Sequence, residues 1–126
     1  MTFHTRAALK MIKNKTRKTT LSESIKHCKT PFAKARGLMF TSRKDDFGLV
    51  FHFDNEQIVP MHMFFVFYPI DVIFLDTKNK VIEIKENFSP FTTYTSRKRI
   101  KYFIELPRGT VKKSKTRIND LVEFSK

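Results

Sequence analysis

The sequence predicts a mainly β fold, a compact antiparallel sandwich or barrel with one short helix near residues 31–36. Three observations predict it. Short apolar stretches recur along the chain, several alternating residue by residue, with polar turns between them. Aromatic residues make up 13% of the 126 positions, and 14 of them are Phe, a content that chains without a packed core do not carry. One Thr-Pro start signal and one Gly stop signal bracket a six-residue helical stretch and no longer one. The length fits one core and one domain, placed over residues 11–126. Residues 1–10 have little apolar periodicity and read as an N-terminal extension, dispensable and open to disorder.

In order along the chain, Met11–Lys13 and Lys18–Leu21 read as short strands around the polar turn Asn14-Lys15-Thr16. Thr30 is placed to cap a helix that starts at Pro31, runs to about Arg36 and ends at Gly37, with Phe32 and Ala35 facing inward. Leu38-Met39-Phe40 lead into the core. Gly48–Phe53 is a strand in which Leu49, Phe51 and Phe53 alternate with Val50 and His52, and Asp54-Asn55-Glu56 is a turn. Met61–Tyr68 and Ile70–Asp76 are nearly continuous apolar runs, as in strands covered on both faces. The polar loop 77–80 predicts a hairpin return over Val81–Lys85. Residues 89–94 are irregular. Lys101–Leu106 is a strand with Tyr102, Ile104 and Leu106 on one face. Pro107-Arg108-Gly109 turns the chain, Thr110–Lys113 forms a helical turn and Leu121–Phe124 is a last short strand.

The window 58–75 is about as long as a spanning helix. It contains Pro60, His62, Pro69 and Asp71 and is rich in β formers, so it reads as buried strands, and no membrane span is predicted. The single cysteine, Cys28, cannot build a disulfide framework, and the N-terminus has no apolar signal core; both fit a cytoplasmic protein.

The net charge of +13 is uneven. Residues 1–44 carry 12 Lys and Arg against one acid, residues 97–126 carry 10 against three, and the middle carries three against eight. If the two ends converge, they form a positive face that attracts phosphates without specificity. Arg97, Lys98, Arg99, Lys101, Lys112, Lys113 and Lys115 are its candidate polyanion contacts. Residues 92–102 mix hydroxyls, cations and aromatics, a composition suited to phosphate contact and base stacking, and equally to an ordinary loop entering a strand.

Three blocks carry a family resemblance. Ala35-Arg-Gly-Leu-Met-Phe40 contains an Arg-Gly-Leu-Met signature. In 61–76, Met63 is followed six residues later by Pro69 and then by Asp71 before an apolar strand. Ile104-Glu-Leu-Pro-Arg-Gly-Thr110 ends a strand in Glu-Leu-Pro-x-Gly-Thr. In this order they resemble the domain-of-unknown-function 192 family of bacteria and archaea, over about residues 11–124. Where many relatives have Trp before the central Met and Lys-Asn after it, this chain has His62, Phe64 and Phe65, so a role tied to that pair does not transfer. Asn119 stands where the family often has Gly; Asn reaches positive φ. The resemblance implies a jelly-roll-like β-sandwich with a short early helix, and no activity.

The four His are scattered with no His-x-His or His-x-x-x-His spacing, so no metal site is predicted. Cys28 and His27 would point to opposite faces of a strand, which argues against a nucleophile pair. Phosphate-loop, dinucleotide and nucleophile-elbow motifs are absent, and no cofactor or catalytic residue is assigned. Arg36 and Asp71 lie amid apolar residues. A buried Asp requires a partner, either Arg36 in bidentate geometry or local backbone amides. With His62 they would form a polar spot in an apolar pocket or a pair that locks the fold. The expectation is a non-catalytic module that binds a ligand or partner. The alternatives are a weak, non-specific nucleic-acid-associated protein and, last, an enzyme of unknown type.

Overall fold

The computed structural model describes residues 10–125, apart from the Phe32 side chain. The expected N-terminal extension lies almost wholly outside them, and so does the inward role expected of Phe32. The elements are β1 (Ile12–Asn14), β2 (Thr19–Ser22), β3 (Lys26–Cys28), α1 (Pro31–Arg36), β4 (Leu49–Gln57), β5 (Pro60–His62), β6 (Ile70–Leu75), β7 (Val81–Phe88), β8 (Thr93–Thr95), β9 (Ile100–Pro107), α2 (Thr110–Ser114) and β10 (Val122–Glu123). The mainly β class and the early helix are as the sequence predicts. Among the described residues no helix is long and apolar enough to cross a membrane.

A five-stranded sheet ordered β3-β4-β9-β6-β7 lies at the centre, with a three-stranded sheet ordered β10-β1-β2 and a two-stranded β5-β8 sheet beside it. Among the described residues no sheet closes into a barrel, and every strand pairing is antiparallel except β3 with β4. Parallel neighbours need a crossover, and here the chain makes it through α1. The helix starts as its residues dictate. The Thr30 hydroxyl accepts from the Ala33 amide at 3.1 Å, Pro31 supplies the first turn, and Gly37 ends it at φ +46°.

The central sheet is covered on both faces. On one, Phe51, Phe74 and Phe103 pack with Leu38, Met61 and Met63. On the other, Val50, Ile73 and Ile104 pack with Ile12, Val111 and Val122. This is why all six residues of β6 are buried. Fully burying an aliphatic or Phe side chain contributes about 1.5–3 kcal/mol, and two cores drawing on one sheet give it the largest share.

Several expectations are corrected. Met61–Tyr68 is not a strand: β5 ends at His62 and the chain turns, with Val66 N donating to Met63 O and Phe65 at φ +59°. Residues 54–56 do not turn, because β4 runs through them with an irregular register against β9 between His52 and Gln57. Ala35 is exposed and Ala33 packs instead, since α1 meets the sheet along its other side. Residues 26–28, read as extended in weighing His27 against Cys28 but not placed among the strands in order, form β3.

Candidate functional site

The turn after α1 lies over the face of the central sheet. The ring of Phe51 is so close that a Cβ on Gly37 would meet its Cζ at 3.3 Å and the Oε1 of Glu105 at 3.7 Å. Glycine is required there both for the positive φ and for this approach. Between α1, β4, β5 and β9 the chain leaves a cleft of about 290 Å³. Phe53, Met61 and the stacked pair Phe51–Phe103, with ring centroids 4.2 Å apart, supply apolar walls.

Glu105 also lines this cleft, and it is only 7% exposed. It sits opposite Leu49 and Val72 in the sheet. Among the described residues, no hydrogen bond or ion pair reaches its carboxyl. Burial alone pushes it up to about 8, so it is a neutral acid at pH 7, able to donate a hydrogen bond into the cleft. Cys28 is buried on the same side of the sheet. Burial first, and then the Glu105 charge, push its thiol up to about 11, which makes it a poor nucleophile.

Of the residues singled out in the sequence, Arg36 and His62 both line the cleft. Arg36 is exposed and has no ion-pair partner among the described residues. His62 Nδ1 accepts from the Phe64 amide at 3.1 Å, and its ring stacks on Phe64. Lys34 is held in place, its Nζ donating to His52 O at 2.9 Å and lying over the Phe53 ring.

Asp71 does not join them. It alternates with Ile70 and Val72, which face the first core, and so points to the other side of the sheet. There it accepts from the amides of Asn87 at 3.0 Å, Gly109 at 3.1 Å and Val111 at 3.0 Å. The Arg36–Asp71 pair is therefore not formed, and backbone amides, the other partner weighed from sequence, take its place.

The cations proposed for a single positive face are divided. Arg97, Lys98 and Arg99 precede β9, and Lys112, Lys113 and Lys115 follow it. A strand of that length spans about 26 Å. Arg99 of the first group and Lys101, within β9 itself, are also engaged, with Glu56 O and Asp54 O.

Sequence reasoning missed Glu105 although its block was singled out. Placing Tyr102, Ile104 and Leu106 on one face left Phe103 and Glu105 on the other, and a strand covered on both sides has no wet face for a carboxyl. It also missed the contact of His27 Nδ1 with His52 Nε2 at 2.7 Å, made across the parallel β3–β4 pair. Among the described residues no group of three or more His, Cys, Asp or Glu is placed to hold a metal ion.

The family of uncharacterized proteins described as uncharacterized ACR, domain of unknown function 192, matches over residues 12–124. The chain is similar to a UPF0127 protein of Thermococcus sibiricus, 34% identical over 116 residues that span 90% of this chain and 74% of that one. A UPF0127 protein of Pyrococcus horikoshii is 30% identical over 90% of this chain and 98% of that one. A crystal structure from Sinorhizobium meliloti 1021, of a protein with a provisional transcription-regulator name, superposes with a TM-score of 0.74 at 28% identity over 79% of each chain. With the match running from β1 to beyond β10, the chain belongs to the domain-of-unknown-function 192 family.

Proposed function

We propose that this protein is a non-catalytic module that binds a small amphipathic molecule in the cleft between α1 and the central sheet. The observation that carries the reading is Glu105, a largely buried acid with no hydrogen-bond partner among the described residues, set among the aromatic walls of a cleft that Lys34, Arg36, Gln57 and His62 also border. The Glu105 carboxyl stays open to the cleft rather than sealed in the core, so a ligand that accepts from it gains a hydrogen bond in surroundings of low dielectric. As a protonated acid Glu105 donates, so the ligand presents an acceptor such as a carbonyl at its inner end. The aromatic walls take a flat or branched apolar body, and Arg36 favours a carboxylate or phosphate at the outer end. No second titratable group bonds to Glu105 among the described residues, which supports binding over proton-transfer chemistry.

The test is amide chemical-shift mapping with phenylacetamide, phenylacetate and benzylamine as probes. The first two are expected to shift cleft residues such as Phe51 and Phe103 below pH 8 and to weaken above it. Glu105→Leu should remove the response. Perturbation by none of the three, or an unchanged response in Glu105→Leu, would overturn the reading. Nucleic-acid association draws on the net charge and on the Sinorhizobium protein's name; the division of the cations across β9 counts against a single interface.

A further inference from the structure

Among the described residues five phenylalanines are on the outside. Phe40 is 64% exposed, Phe67 60%, Phe91 51%, and Phe64 and Phe65 45% each. They come from three separate loops and converge. Phe40 stacks on Phe65 with centroids 4.9 Å apart, and Phe91 meets both Phe65 and Phe67 edge to face. Three of them, Phe40, Phe65 and Phe91, hold left-handed backbone at φ near +60°. Bulky residues avoid that region, and such strain persists only where surrounding structure enforces it. Here the enforcement is visible. Phe40 N donates to Phe65 O, Phe91 N to Met63 O and Met63 N to Thr92 O, each at 2.8 Å, so the loops are tied at their bases while the rings project into water. A run of apolar residues serving only the core would turn these rings inward.

The surroundings of the patch say what covers it. A groove of about 530 Å³ beside the rings is lined by Ala35, Arg36, Met39, Phe40, His62, Phe64 and Phe65, without an acid. Next to Phe67, the cleft at Tyr68 and Pro69 is lined by Arg43, Lys44 and Arg108 against one acid, Asp45. Apolar tips bordered by cations, on a chain of net charge +13, complement the surface of an anionic bilayer. Ring insertion and headgroup attraction are each weak alone and sufficient together. Single-stranded nucleic acid would need a row of open ring faces for stacking, whereas Phe40 and Phe65 cover a face of each other and Phe91 meets Phe65 and Phe67 edge to face. We propose that the Phe40, Phe64–Phe65, Phe67 and Phe91 loops dock this protein on anionic lipid membranes, with the rings entering the interface and Arg36, Arg43 and Lys44 meeting the headgroups.

The experiment is flotation of the full chain with vesicles of phosphatidylcholine alone and of phosphatidylcholine mixed with phosphatidylglycerol, at low and high salt. The wild type is expected to float with the mixed vesicles at low salt and to be released by salt. Phe40→Asn combined with Phe67→Ser should weaken binding by about tenfold or more, the loss expected on withdrawing two rings from an apolar phase. The melting temperature should stay level or rise, because Asn tolerates the left-handed backbone at position 40. Arg43→Gln with Lys44→Gln should reduce the preference for phosphatidylglycerol while the fold is unchanged. Wild-type protein that floats with neither vesicle would overturn the proposal, as would a ring variant that floats as well as wild type. A concentration-dependent dimer lost in the ring variant would assign the patch to a second copy instead, and quenching of ring contacts by single-stranded RNA would assign it to nucleic acid. Cleft-binding probes play no part in this assay, so its outcome is independent of the small-ligand reading.

Discussion

Asp71 and Glu105 are both carboxylic acids on the central sheet, 1% and 7% exposed, and the molecule treats them oppositely. Asp71, in β6, gathers three amides, one from the end of β7 and two from the start of α2, and so ties three pieces of chain together. Glu105 holds nothing. It faces a cleft, and burial keeps it protonated. A buried acid whose two oxygens both accept backbone amides is a fastener. One with no bond among the described residues has no such structural task, and the proposed ligand reading rests on that difference. Burial alone separates the two poorly, and partners separate them clearly.

The largest effect expected from this contrast is at Asp71. Asp71→Ala leaves three amides without their acceptor and should lower unfolding free energy by about 4 kcal/mol. Asp71→Asn, which keeps one acceptor oxygen, should recover part of it. Urea denaturation checks both, and wild-type stability in Asp71→Ala would show that water replaces the carboxylate without cost.

Glu105 should behave in the reverse sense. Its folded value is raised from 4.5 to about 8, so between those limits the folded chain keeps a proton that the unfolded chain has released. Stability therefore falls as pH rises through that window and levels off above about 8. Glu105→Gln removes the titration. It should match wild type near pH 4.5 and exceed it by about 3 kcal/mol at pH 7. Parallel pH–stability curves for the two proteins would mean that Glu105 is not held neutral.

Gly37→Ala should cost about 1–2 kcal/mol through the positive φ and the contact with Phe51, and should also weaken the phenylacetamide response by displacing α1. The smallest change in stability is expected at Arg36. Arg36→Gln should alter stability by no more than about 0.5 kcal/mol, as for an exposed and unpaired side chain, while weakening phenylacetate more than phenylacetamide. A loss of several kcal/mol would restore the ion pair with Asp71 that the geometry denies.

What was legible in the sequence followed from strong local signals. Thr30, Pro31 and Gly37 marked both ends of α1, and the alternation of Tyr102, Ile104 and Leu106 marked β9. What was not legible depended on tertiary context. Lys26–Cys28 has no apolar rhythm and becomes β3 because the edge of β4 is available to it. Residues 63–69 have the composition of a buried strand, yet Phe64, Phe65 and Phe67 face solvent, and only the placement of three loops shows that. For the candidate site, the sequence singled out Arg36 and Asp71 by their apolar surroundings and grouped His62 with them; Arg36 and His62 line the cleft, and Asp71 lies on the other side of the sheet. Glu105 was hidden because a Glu at the end of a strand is ordinary until both faces of that strand are known to be covered.

The pairing of β1 with β10 has a consequence for the order of assembly. Lys13 lies opposite Glu123, and the buried Asn14 amide donates to the Asp120 carboxylate at 2.9 Å, across 106 residues of sequence. Arg17 Nε and the Arg117 amide meet the same carboxylate. Closing so long a loop has an entropic cost before its contacts return anything. During synthesis β1 leaves the ribosome well before β10 and must wait for it, while α1, β4 and β9 can already assemble. The core under the three-stranded sheet is therefore completed late, and until then Ile12 and Leu21 are exposed to aggregation or to a chaperone.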